Sequence, residues 1–339
     1  MRPASASRPL RRSLRRRPAG RSLSVLLATA VLLVAGCSSE GGAAGPSGSA
    51  GPASPTPPAS IPGWPMPGQV TTSGPIPVIA SSELVVGPNR FLFTIVDQSN
   101  TPIAAPDVTA GVAFYDLARD PNTATATSPA RFLWAIPGQR GFYVAPVTFS
   151  EAGEWGVEVS LGKGSAAPTK TRLRFEVQAK GTTVGVGQQA PATTNPTLAD
   201  TGGNVKAIST DPNPDPSFYR TTVAAALAAH QPFVLIFATP AFCTSRVCGP
   251  TLDGVKAVAK QEPGFTFINV EPYKLIYTDG RLQPILDANN QLQPVEAVDQ
   301  WGLQAEPWVF VVDRAGIIRD SYEAVVGADE LKAAIDALK

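Results

Sequence analysis

Residues 233–250, Phe233-Val-Leu-Ile-Phe-Ala-Thr-Pro-Ala-Phe-Cys243-Thr-Ser-Arg-Val-Cys248-Gly-Pro250, hold the reading on which the rest of the chain turns. The run FVLIFAT (233–239) is continuously apolar and too short for a helix, which predicts a strand buried on both faces. Pro240 breaks it. CGPTLDGVKAVAKQE (248–262) then follows with helical spacing. Between them lie two cysteines in a C-x4-C arrangement. Within a helix, positions i and i+3 have Cα atoms about 5 Å apart, whereas i and i+5 sit about 8.7 Å apart and about 140° around the axis. A disulfide tolerates about 7 Å. Cys243 and Cys248 therefore bridge only if Cys243 lies outside the helix, or if the first helical turn unwinds.

A cysteine at a helix N-terminus faces unpaired backbone N–H groups and the positive end of the helix dipole. Both stabilise a thiolate, the species that attacks a disulfide or a peroxide. Cys243, at the strand-to-helix turn, is the nucleophile candidate and Cys248 the resolving thiol. Arg246 adds positive charge if it faces them.

Working outward, FYRTTVAAALAAH (218–230) is predicted as a helix before the strand, and FTFINVE (265–271) as a strand after the second helix. A long excursion, 271–293, separates these from VEAVDQWGL (helix), PWVFVVD (307–313) and GIIRDSYE (316–323) as two strands joined by an Asp-Arg-Ala-Gly turn, and a final helix in ADELKAAIDAL. Two readings of the excursion stand side by side: its Tyr, Leu and Ile residues pack over the site or bind a partner, or it is a surface insertion with its own small apolar cluster.

FVLIFATPAFCTSRVCGP resembles the strand, turn and helix start that carry the redox cysteines of thioredoxin-like proteins. WGLQAEPWVFVVDRAG (301–316) resembles the segment where those proteins place a cis-proline facing the active site. The resemblance implies an α/β thioredoxin-like domain over 205–339, with a central mixed sheet flanked by helices. It also implies a cis Glu306–Pro307 bond, with Pro307 aligning a substrate backbone; the alternative is a trans proline opening an edge strand. Two departures count against ordinary thioredoxin activity. Ile236 stands where those proteins keep a buried acid, and the 271–293 excursion is longer than they need. The C-x4-C spacing itself resembles the bacterioferritin-comigratory class of peroxiredoxins. Those carry Thr three residues and Pro seven residues before the reactive cysteine, where this chain has Pro240 and Ile236, so the peroxidase reading ranks third. Sco-type copper chaperones use C-x3-C plus a distant His; the one His here, His230, ends a predicted helix and reads as a cap, so no metal and no cofactor are expected.

Upstream, 77–178 reads as about seven short alternating strands parted by Gly-Pro-Asn, Gln-Ser-Asn, Asp-Pro-Asn, Pro-Gly and Gly-Lys-Gly turns. That pattern argues for an antiparallel β-sandwich. GFYVAPVTFSEAGEWGVEVSL (141–161) resembles a strand pair of bacterial immunoglobulin-like modules. Tyr143, Phe149 and Trp155 are core candidates. A Gly/Thr/Pro/Ala stretch, 179–204, reads as a linker.

Residues 1–36 carry eight Arg and no acid before the apolar run SVLLATAVLLVAG. This is the order of a secretory signal, and the run is short for a membrane span. Val34-Ala35-Gly36-Cys37 resembles the lipobox of bacterial lipoproteins, which implies cleavage before Cys37 and lipid on its sulfur. Residues 37–76, rich in Gly, Pro, Ser and Ala, then form a stalk. Removing the signal leaves 20 basic against 27 acidic residues, a net −7 that offers nucleic acid no basic surface. It also leaves Cys243 and Cys248 as a self-contained pair in an oxidising compartment. The expectation is a protein lipid-anchored to the outer face of a bacterial membrane. It would exchange disulfides with a protein partner or, alternatively, carry Cys243–Cys248 as a permanent staple in a non-catalytic binding protein.

Overall fold

Period-two alternation of apolar residues builds the first half of the chain in the computed structural model, which describes residues 60–339. Cys37, the signal segment and the stalk as far as residue 59 lie outside the described residues. Seven strands run from Ile76 to Val177: β1 (Ile76–Ile79), β2 (Gly87–Val96), β3 (Val108–Asp116), β4 (Ala126–Ile136), β5 (Arg140–Phe149), β6 (Gly153–Lys163) and β7 (Thr169–Val177). They form one continuous antiparallel sheet in the order β1-β2-β5-β4-β3-β6-β7. The backbone of Gln178, just past β7, bonds both to Leu84 and to Val86 before β2, so the sheet curls until it is nearly closed. This corrects the expected two-sheet sandwich. A strongly twisted sheet of seven strands buries one face against itself, and strand patterning is the same for either arrangement. Phe91, Phe93, Phe114, Tyr143, Phe149 and Trp155 fill the interior.

The segment expected to be the end of the stalk packs as well. The Trp64 ring lies edge-on to Tyr115, takes the Arg172 guanidinium on its face, and fits over Gly156, where a Cβ would stand 2.3 Å from it.

The second half holds α1 (Val223–Ala228), β8 (Phe233–Phe237), α2 (Cys248–Ala259), β9 (Thr266–Val270), β10 (Leu275–Thr278), β11 (Arg281–Pro284), α3 (Glu296–Trp301), β12 (Trp308–Val312), β13 (Ile318–Glu323) and α4 (Ala328–Asp336). The hairpin β10–β11 stands apart. The other strands form a sheet in the order β13-β12-β8-β9, with only β8 and β9 parallel. Every residue of β8 and β12 is buried. Val234, Ile236, Val309 and Val311 face α2 and α4 through Leu252, Val255, Leu331 and Ile335. Phe233, Leu235, Phe237 and Phe310 face the other way, onto Trp301 and α1.

The expected class, a sandwich followed by an α/β thioredoxin-like domain, is corrected here: the chain is mostly β, 36% strand against 16% helix. The sequence pattern overstated the helices. The expected helix at 218–230 is a 3-10 turn, Pro216–Tyr219, followed by six residues of α1, because Thr222 caps a new start by accepting from the Ala225 N–H. The helix expected at 295–303 keeps only six residues and stops at Gly302, φ 64°. The 271–293 excursion contributes a hairpin.

Residues 179–204, expected as a linker, lie against the second half. Trp301 Nε1 donates to Thr193 Oγ1 (2.9 Å), the Val223 N–H donates to Asn195 Oδ1 (2.9 Å), and Thr193 and Asn195 are buried. At Gly302 a Cβ would sit 1.9 Å from the Thr182 carbonyl oxygen, on a backbone of positive φ. Gly302→Ala is expected to cost about 2–4 kcal/mol, from left-handed strain and displacement of the 182–184 backbone together. Chemical denaturation of the variant checks this; a loss under 1 kcal/mol would mean that the strap over α3 yields freely.

The two halves share a seam. Leu92, Ala135, Phe142 and Val144, on the outside of the seven-stranded sheet, pack with Val247 and Val325. Around them Arg90 and Arg131 pair with Glu330 (3.0 and 2.7 Å), and Arg140 donates to the Ser245 carbonyl (2.5 Å). Glu323 accepts from the Ser82 N–H (2.9 Å).

Candidate redox site

Three chain segments leave the four-stranded sheet at one end. The Phe237↔Trp308 register puts the start of β12 beside the end of β8, and the parallel Phe237↔Val270 register brings the end of β9 to the same edge. The 238–247 loop, residues 271–273 and the Glu306–Pro307 approach to β12 therefore converge. Sheet register places Cys243, Tyr273 and Glu306 together, although they lie far apart in sequence.

Cys243 and Cys248 form a disulfide with a Cα–Cα separation of 6.1 Å. The helix begins at Cys248, so Cys243 stands outside it and the pair closes with α2 intact. Thr239 builds the turn that puts it there: its carbonyl accepts from the N–H groups of Phe242 (3.2 Å) and Cys243 (3.0 Å). Cys243 is half-buried; Cys248 is fully buried. The Cys248 N–H points at Cys243 Sγ (3.4 Å), and Ser245 Oγ lies 3.1 Å from the same sulfur. Backbone and hydroxyl donors thus converge on Cys243, whose charged form they would stabilise once the bond opens.

The Glu306–Pro307 bond is cis, and the Pro307 carbonyl accepts from the Ala324 N–H (2.9 Å) at the end of β13. Glu306 brings a carboxylate oxygen into a group with the two sulfurs in which all three atoms lie within 4.8 Å of one another. With the bond closed neither sulfur offers a thiolate. Burial pushes the Glu306 carboxyl above the usual carboxylate range, partly offset by the Tyr273 hydroxyl, which donates to Oε2 (3.0 Å). Arg246 lies at the surface with φ 62°, its backbone N–H donating to the Cys243 carbonyl. His230 sits beyond α1, with Nδ1 3.3 Å from the Arg314 carbonyl. Ile236 is buried in β8 and faces α2.

Sequence reasoning named neither of two further groups. Tyr273 lies in the 271–293 excursion, one reading of which had its Tyr residues packing over the site, and its hydroxyl meets Glu306 there. Glu271 is the second. Its Oε1 accepts from the backbone N–H (2.6 Å) and Oγ1 (2.8 Å) of Thr210; that hydroxyl also takes the Ala241 N–H (3.3 Å) and lies 3.5 Å from Thr239 Oγ1. The carboxylate thus sits under the turn that carries Cys243. Glu271 Oε2 is buried without a hydrogen-bond partner among the described residues. Burial pushes the acid up to about 7 from 4.5, outweighing the bonds from Thr210 and Thr239. The fold favours the protonated form, so this stabilisation is complete below pH 4.5 and is lost as pH rises through 7, a swing of about 3 kcal/mol. Glu271→Gln is expected to flatten the stability profile between pH 5 and 8. Denaturation midpoints across that range check it, and an unchanged slope would mean that another group titrates there.

No family model matches the chain, and no curated protein matches it. Among solved structures, a DUF4426 family protein from Pseudomonas aeruginosa PAO1 aligns with 12% identity over 33% of this chain and 98% of its own, at a TM-score of 0.24. The Lin-41 filamin domain aligns with 16% identity over 33% of this chain and all of its own, at a TM-score of 0.19. The pairing expected from the sequence, an immunoglobulin-like sandwich with a thioredoxin-like domain, is withdrawn along with the fold class, because the chain is mostly β around a nearly closed seven-stranded sheet.

Proposed function

We propose that this protein is a thiol–disulfide exchange protein whose centre is Cys243–Cys248, held outside the cytoplasm by lipid on Cys37. The observation that carries the reading is the Cys248 N–H, at the first residue of α2, aimed at the sulfur of a half-buried Cys243. In the reduced protein that arrangement lowers the cost of a Cys243 thiolate and leaves it accessible to a partner's disulfide. Cys248, fully buried, is the resolving thiol. Pro307, just before β12, aligns the partner's backbone in this reading.

A second reading is favoured by one feature, the grip of the seven-stranded sheet on the cysteine loop through Arg140 and Val247. In that reading the bond is a permanent staple that keeps the loop in shape for the seam. Equilibration against glutathione or dithiothreitol separates the two. A potential above about −270 mV supports exchange, and one below about −300 mV with no reactive thiol supports the staple. The anchor has its own test: Cys37→Ala should move the protein from the membrane fraction to the soluble exported fraction.

A further inference from the structure

We infer that Glu306 is the acid–base residue of the disulfide, giving a proton to the Cys248 sulfur when the bond opens and taking it back when the bond closes. The inference rests on the exchange reading above. It starts from an asymmetry between the two sulfurs. Cys243 is half-buried in a surface turn, whereas Cys248 is fully buried, at 0% exposure. A buried thiol formed there has no direct solvent route for its proton, and a buried thiolate without a proton or a counter-charge is costly. Among the described residues Glu306 is the carboxylate that falls within 4.8 Å of both sulfurs. It is held there from two sides: the next residue, Pro307, accepts from the Ala324 N–H (2.9 Å), and the Tyr273 hydroxyl donates to its side chain at 3.0 Å. The titratable groups facing it are Tyr273, from the segment after β9, and the two cysteines of the loop and α2. Burial is the main cause that raises it and the Tyr273 bond the one that lowers it, which brings the acid nearer to neutral pH, where a general acid–base group works best.

The step balances as follows. In the oxidised protein a partner thiolate attacks Cys243 Sγ and the Cys243–Cys248 bond breaks. Its electron pair goes to Cys248 Sγ, which takes the proton of the Glu306 carboxylic acid. A second partner thiolate then attacks the partner's sulfur in the mixed disulfide and releases Cys243 as thiolate, so that the partner dithiol is oxidised and the protein reduced. In reverse, the Cys243 thiolate attacks a partner disulfide. Glu306 carboxylate removes the Cys248 proton, and the new thiolate closes on Cys243 and expels the partner's second thiolate. Tyr273 is a positioning residue, acting through Glu306.

The test uses the full chain, reduced and then mixed with glutathione disulfide, with acid quenching and mass analysis at intervals. For Glu306→Gln, formation of the Cys243–glutathione adduct is expected to stay within about threefold of the parent. Closure of the adduct by Cys248 is expected to slow about 100-fold at pH 7 and to recover as pH approaches about 8.5, where a thiol ionises unaided. Tyr273→Phe keeps the carboxylate, and should shift the lower limb of the closure profile to higher pH; this covers the case in which the Gln variant does not fold. Closure at the parental rate with an unchanged pH profile in either folded variant overturns the role of Glu306 while leaving exchange intact. A parent protein that forms neither the adduct nor the closed disulfide overturns both readings.

Discussion

Cys248→Ser, reduced and exposed to a disulfide such as that of glutathione, is expected to stop at a stable adduct on Cys243, whereas Cys243→Ser forms none. The two variants differ because their sulfurs occupy different environments. Cys243 lies in a turn, half-buried, with the Cys248 N–H and Ser245 Oγ directed at it; Cys248 is sealed beneath that turn. Attack on an external disulfide requires a thiolate that is both accessible and stabilised, and only Cys243 has both properties. Closure requires a second thiol within bridging distance, and the Cα separation of 6.1 Å supplies it without unwinding α2. Turnover should therefore fall by more than about 1,000-fold in either variant, consistent with the loss of a nucleophile that acts as a unit with its partner. The adduct should appear in the Cys248 variant alone. Mass analysis after a quench reads this directly. Adduct on Cys248 in the Cys243 variant, at a comparable rate, would reverse the assignment of nucleophile and resolving thiol.

How far the sequence reveals this site depends on the range of the forces that build it. The strand at 233–237 and the helix from 248 were legible because a short all-apolar run and a 3.6-residue period are local signals. The condition on the cysteine spacing was legible because it is helix geometry, and the structure resolves it by placing Cys243 outside α2. The fold class was not legible. Alternating strands at 77–178 look alike whether they stack as two sheets or curl as one, and the difference lies in the order β1-β2-β5-β4-β3-β6-β7 and in the bridge from Gln178 back to Leu84 and Val86. The helices of the second half were overread because Thr222 and Gly302 cut short periods that continue beyond them. Glu306 was named from its place before Pro307, but its partner was invisible. Tyr273 reaches it only because β9 runs parallel to β8 while β12 runs antiparallel, which gathers three chain segments at one sheet edge.

Trp301→Ala is expected to be the most destabilising single substitution in the second half of the chain. The Trp301 ring is fully buried, with its centroid 4.6 Å from that of Phe310 and 5.7 Å from that of Phe237, so it joins α3 to the centre of β12 and the end of β8. Its Nε1 donates to Thr193 Oγ1 (2.9 Å), which also meets Gln300 Oε1 (2.9 Å), so the same side chain ties down the 179–204 segment. Truncation removes the packing, leaves a cavity between α3 and the sheet, and takes a donor from a buried hydroxyl. The cavity term for a buried Trp is about 3–5 kcal/mol, and the lost hydrogen bond adds about 1 kcal/mol. Trp301→Phe separates the two, since it keeps most of the ring contact and should cost about 1–2 kcal/mol. Residues 302–307 run directly from this anchor to the cis Glu306–Pro307 bond, so the Ala variant should also slow closure of the Cys243 adduct in whatever fraction remains folded. Denaturation midpoints for the two variants, read beside adduct closure, test the coupling. An Ala variant that loses stability yet closes at the parental rate would show that Pro307 is held by its bond to Ala324 and not by the α3 anchor.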